Sequence, residues 1–137
     1  MPKPTAHEAL IYLMVATSAS DREMSDEELI HIGDSVRNWP IFMDYDPDRL
    51  VEAARNCQKL LQQDGGLDKV FALVLDTVPL HLHDTAYAAA VEVAVVDGEM
   101  RMEERRVLER LRSWLAVDEQ SVHAIEISAR ARRKTLT

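Results

Sequence analysis

A single cysteine, Cys57, leaves no partner for an intrachain disulfide in a chain of 137 residues, which is long enough to be held by a hydrophobic core instead. Glycine is scarce as well, at four residues, and with 47% hydrophobic and 29% charged residues the composition suits a compact helical protein rather than a disordered or all-β one. No apolar run approaches the roughly 18 residues a membrane-spanning helix needs. The longest nearly apolar stretches are residues 9–16 and 86–96, and Glu92 interrupts the second. Residues 1–4 are short and polar, with no secretory signal ahead of the first apolar run, so the expected location is cytoplasmic. An excess of basic residues is also missing: a net charge of −8 argues against nucleic acid as the main partner and favours cations or basic protein surfaces. No G-x-G-x-x-G, G-K-[ST], H-E-x-x-H or G-x-S-x-G motif occurs, and no Cys/His/Asp arrangement supports a nucleophile.

What the chain does contain is helical periodicity. An apolar helix is expected from Pro4–Thr5 to about Ala19. A second starts at the S-x-x-E capping box of Ser25 and Glu28, with Leu29, Ile32, Val36 and Trp39 on one face, and stops at Pro40. Gly33 inside it marks a close crossing or is simply tolerated. Asp46 before Pro47 caps a third helix, with Leu50, Ala53, Ala54, Cys57, Leu60 and Leu61 in phase up to Asp64-Gly65-Gly66. A fourth carries Leu67, Val70, Phe71, Val74 and Val78. The segment 86–96 is β-branched in part, but its alanines and length favour helix over strand. A sixth helix spans about Met102 to Ala116, and a seventh follows the Asp118 cap, using Val122, Ile125 and Ala129 before a basic tail that should fray. The expected fold is therefore all-α, one domain over residues 1–137, a compact bundle of about seven helices.

Two stretches share a pattern. Residues 9–36 and 86–112 each run from an apolar helix through an acidic turn into a charged helix. At an offset of 76 residues Asp21, Glu23, Met24, Glu27 and Glu28 fall on Asp97, Glu99, Met100, Glu103 and Glu104. Helix–acidic turn–helix halves at about 5–40 and 81–117 form an internal pseudo-repeat. A carboxylate at the last turn of a helix faces the negative end of the helix dipole, which is unfavourable by about 0.3–1 kcal/mol, so something should compensate. A bound cation is one answer, with Asp97, Glu99 and Glu103 or Glu104 as oxygen ligands, and Asp21, Glu23 and Glu27 or Glu28 in the first half. Carboxylate oxygens suit Mg²⁺, Ca²⁺ or Mn²⁺. The plainer answer is that each Asp accepts backbone N–H groups within its turn while the glutamates favour the start of the next helix. D-x-E-x-x-x-E supplies too few oxygens for an autonomous EF-hand. His81 and His83 are spaced two apart, do not share a helical face, and are expected to be exposed near a helix start.

The run V-A-V-V-D-G-E-M-R-M-E-E-R-R-V-L-E-R-L resembles the central motif of the TerB family of tellurite-resistance proteins. The likeness is good over residues 86–118 and weaker over 9–36, where Arg22 replaces the glycine. It implies an all-α fold of about seven helices and a link to tellurite and stress resistance, with metal-binding acidic residues that map by position onto Asp97, Glu99 and Glu103, and onto Asp21, Glu23 and Glu27. Docking to a protein partner is implied too. TerB-like domains also occur attached to membrane-anchored DnaJ-like co-chaperones, but no His-Pro-Asp tripeptide occurs in this chain. The expectation is a non-enzymatic module that presents acidic turns to a divalent cation or a basic protein partner. The alternative is a pure interaction scaffold or dimerising helical module without metal, in which the partner is another protein or a second copy. A metal-dependent hydrolase is a third class, weakened by the lack of a histidine or nucleophile beside the acidic turns.

Overall fold

Two buried helices form the axis of the molecule. The computed structural model describes residues 3–19, 23–95 and 100–137, and all its regular structure among these is helical. Helix α1 (Ala6–Ala19) is buried along its whole length from Ala9 onward, and α5 (His83–Ala94) buries eight of its side chains, including Tyr87, Val91 and Val93. A helix apolar all round has no solvent face to offer, so it must be surrounded. Accordingly α1 packs against α3 (Leu50–Leu61), α4 (Gly66–Thr77) and α5, with α2 (Asp26–Asn38) and α6 (Met102–Arg112) at its remaining sides. Helix α5 in turn packs on α1, α6 and α7 (Glu119–Arg132). Between them these helices bury a single apolar cluster that reaches from Ala9 to Ala129.

The surrounding helices follow the expected phases. Ser25 caps α2 with both bonds of a capping box, its hydroxyl accepting the Glu28 N–H at 3.1 Å and the Glu28 carboxylate accepting the Ser25 N–H at 3.0 Å. Asp46 accepts the Asp48 N–H at 3.0 Å across a single 3₁₀ turn, Pro47–Arg49, that leads directly into α3. Gly65 has a φ of +67°, a left-handed conformation that a residue with a Cβ adopts only with strain. Gly66 is needed for a different reason: a Cβ there would lie 2.5 Å from the Leu60 carbonyl oxygen and 2.7 Å from the Leu61 Cα. Gly33 needs neither, since a Cβ would meet Leu50 Cδ2 at 3.5 Å, an ordinary contact.

Three expectations need correction. Helix α6 ends at Arg112, not near Ala116, and the Ser113 hydroxyl donates to the Arg110 carbonyl at 2.6 Å just beyond its end. Helix α7 reaches further into the basic tail than expected: it is regular to Arg132, whose guanidinium donates to Glu92 of α5 at 3.0 Å and to the Ser128 hydroxyl at 2.6 Å, and only residues 133–137 lie beyond the helix. His83 is not exposed like His81. It is 1% exposed, its Nδ1 accepts the Ala116 N–H at 3.0 Å, and its Nε2 lies 3.2 Å from the Val78 carbonyl. A neutral ring with its proton on Nε2 satisfies both partners, so His83 ties the start of α5 to the segments on either side of it.

Candidate functional site

The acidic elbows were expected where α1 joins α2 and where α5 joins α6. Asp21, Asp97 and Glu99, with Gly98, lie outside the described residues. Of the other candidate ligands, Glu23, Glu27 and Glu103 are all exposed. It is the neighbouring glutamates that turn inward. Glu104 is 4% exposed and Glu28 is half-buried. Helical geometry separates the pairs: adjacent residues diverge by about 100°, so when one member of an E-E pair faces the bundle the other faces water.

Glu28 and Glu104, matched at the 76-residue offset, do the same local work. Glu104 Oε1 accepts the backbone N–H of Arg101 at 3.0 Å, as Glu28 does from Ser25. Only the first box is reciprocal, because a guanidinium has no acceptor to return to the start of α6. The Arg101 side chain turns elsewhere. Its Nε lies 3.3 Å from Glu104 Oε1, and its Nη2 donates to the Ser18 carbonyl at 3.1 Å, in the last turn of α1. The Ser18 hydroxyl donates to Glu28. One chain of polar contacts, Glu104–Arg101–Ser18–Glu28, thus crosses between the two halves and joins residues next to both elbows.

The electrostatics agree with this geometry. Burial pushes the Glu104 carboxyl above the usual carboxylate range; the Arg101 N–H and guanidinium pull it back, and the charge of Glu28 pushes it further up. Glu28 is therefore near enough to Glu104 for the two carboxylates to sense each other. Arg101 also supplies a compensating charge that the sequence called for. A cation does sit at the negative end of α1, and it is a side chain contributed by the other half of the molecule.

Neither Arg101 nor Ser18 stood out in the sequence as a site residue. The available signal was the N-cap position, where an arginine stands at the offset of Ser25 although arginine is a poor cap. Among the described residues no group of three or more His, Cys, Asp or Glu side chains converges as a metal site would. Cys57 is fully buried, donates to the Tyr12 carbonyl at 3.4 Å, and has its thiol pushed up to about 12 by burial, so it is a core residue and not a nucleophile. Trp114 stacks obliquely on Phe71 with centroids 5.9 Å apart, a packing role.

A family model described as tellurite resistance protein TerB matches residues 7–127, which takes in all of α1 to α6 apart from the first residue of α1, and most of α7. The chain belongs to the TerB family. Its all-α architecture is that of the family, and the tellurite-resistance association holds at the level of the TerB domain. No curated protein and no solved structure matches the chain. Among the described residues of this TerB domain no helix is long and apolar enough to cross a membrane.

Proposed function

We propose that this TerB domain is a non-enzymatic stress-response module whose acidic elbows present carboxylates to a divalent cation or to a basic protein partner. The observation that carries the reading is the convergence of residues flanking both elbows: Arg101 beside the second reaches Ser18 beside the first at 3.1 Å, and Glu28 and Glu104 lie close enough to interact. The end of the bundle where residues flanking both acidic turns converge gathers carboxylates, and such a concentration of negative charge attracts a hard cation or a basic surface. Asp97, Glu99 and Glu103 are the ligands assigned to the second elbow, and Asp21, Glu23 and Glu27 to the first. The described members of these sets face solvent, where a cation retaining several waters is accommodated as readily as a basic side chain. No catalytic step is assigned.

Calorimetric titration with Mg²⁺, Ca²⁺ and Mn²⁺ tests the reading. Binding in the millimolar range or tighter, accompanied by a rise in melting temperature that Asp97→Asn removes, is the expected result. Absence of both heat and thermal shift with all three ions rejects the cation. The scaffold reading is favoured by the outward aim of Glu23, Glu27 and Glu103; it predicts that Asp97→Asn and Glu103→Gln leave capture of the native protein partner, or self-association, intact.

A further inference from the structure

We propose that the cleft between the end of α6 and the first turns of α7 binds a small aliphatic zwitterion, of the amino-acid or short-peptide class. This site is separate from the acidic elbows and does not depend on the cation reading of them. The cleft has a volume of about 350 Å³, within the range of small-molecule sites. Arg112 and Ser113 line it from the end of α6, Val117 from the connecting segment, and Glu119, Val122 and His123 from α7. Its frame is fixed on both sides. The Ala116 N–H donates to the buried ring of His83 at 3.0 Å, the Ser113 hydroxyl to the Arg110 carbonyl at 2.6 Å, and the Ser121 N–H to the Asp118 carboxylate at 2.7 Å. Trp114 packs on Phe71 and Leu115 is buried, so the connection between the two helices is anchored and the space is preformed.

The charges on its walls are unmatched. Neighbouring arginines on α6 and α7 have carboxylate partners: Arg110 pairs with Asp68, Arg130 with Glu126 and Arg132 with Glu92. Among the described residues the side chains of Arg112, Glu119 and His123 have no hydrogen-bond or ion-pair partner. Glu126, one turn further along α7, is engaged by the Tyr87 hydroxyl at 2.8 Å and by Arg130, and does not pair with Arg112. The cleft thus holds apart a guanidinium and a carboxylate that line the same space without touching. A ligand that carries a carboxylate and an ammonium satisfies both walls, its carboxylate accepting from the fork of Arg112 and its ammonium donating to Glu119. Val122, 3% exposed, and the half-buried Val117 offer an apolar surface to a short aliphatic body between the two charges. The His123 ring and the Ser113 oxygen supply further hydrogen-bonding groups at the rim. A ligand with a single charge leaves the opposite wall unmatched.

Titration of the isotope-labelled full chain, followed by amide chemical shifts, tests this. The probes are L-leucine, whose two charges are adjacent, and 6-aminohexanoate, whose charges are widely spaced, with isovalerate and isoamylamine as single-charge controls. Shifts centred on residues 112–123 that saturate in the millimolar range or tighter with at least one of the two zwitterions are the expected result. Arg112→Gln and Glu119→Gln should each weaken that binding about tenfold, through loss of one charge-assisted bond. Both side chains are exposed, so neither substitution disturbs the core. Saturation by isovalerate or isoamylamine as tight as by the better zwitterion overturns the two-charge recognition. Absence of saturable shifts with both zwitterions, or an affinity in both variants equal to that of wild type, overturns the site.

Discussion

Glu104 gives the sharpest test of how the second elbow is built, because its carboxylate is both a helix cap and a buried charge. Replacing it with alanine removes the acceptor of the Arg101 N–H and releases the guanidinium from one of its two partners. A hydrogen bond to a charged acceptor contributes about 1.5–3 kcal/mol, so a loss of about 2 kcal/mol is expected, or about 8 °C in Tm for a chain of this size. Glutamine behaves differently. Its carbonyl oxygen accepts the same N–H, and removing the charge relieves the desolvation that outweighs the help from Arg101 and raises the carboxyl above its ordinary range. Glu104→Gln should therefore stay within about 0.5 kcal/mol of wild type at pH 7. The pH dependence carries the decisive sign. Since the folded carboxyl holds its proton to a higher pH than the unfolded one, the folded state binds the extra proton between the two values. The stability contributed through Glu104 rises as pH falls through that window and is lowest above it. Thermal melts in chelator-containing buffer between pH 7 and the ordinary glutamate range should show wild type gaining on Glu104→Gln as pH falls. A glutamine variant as damaged as the alanine one, or two melting profiles that run parallel across that window, would refute the account of a buried, cap-forming carboxyl.

Three further outcomes follow from the packing. Gly66→Ala forces a Cβ onto backbone atoms of α3 at 2.5–2.8 Å and should lower stability by several kcal/mol, on the order of 3, whereas Gly65→Ala costs about 1–2 kcal/mol from its left-handed φ alone and Gly65→Asn recovers part of that; chemical denaturation ranks the three. Gly33→Ala should instead stabilise by about 0.5–1 kcal/mol, since α2 gains helix propensity and the added methyl meets only ordinary contacts, and a lower urea midpoint than wild type would contradict the packing described for α2 against Leu50. Cys57, buried and with its thiol at about 12, should react with Ellman's reagent at pH 8 at least about a thousandfold more slowly in the native protein than in denaturant; comparable rates would show that the face of α3 against α1 opens freely.

Residue order alone determined the helical class, because the apolar positions recur at helical spacing and the breaks fall at capping residues, glycines and prolines whose backbone preferences are local. Ser25 and Asp118 cap α2 and α7 as their sequence contexts indicate, Asp46 caps the 3₁₀ turn that precedes α3 and not α3 itself, and the Asp118 carboxyl is held below its ordinary range by the Ser121 N–H. The burial of α1 was legible for a related reason: residues 9–16 include no charged side chain and only one polar one, Tyr12. Other features depended on pairings between distant segments. The regular end of α7 rests on Arg132 reaching Glu92 on α5, and the burial of His83 on its bond to Ala116, neither visible to local periodicity. The E-E pairs show the same division. Both halves display two adjacent glutamates after an acidic turn, and the phase of the apolar stripe indicates which one faces inward, since Glu28 lies four residues before Ile32 and Glu104 four before Leu108. Local spacing leaves open which distant groups they meet there. That phase turns Glu28 and Glu104 toward the junction, where Arg101 and Ser18 bridge the two halves. The repeat therefore identified which turns resemble each other, and only the fold set which side chains at their edges meet.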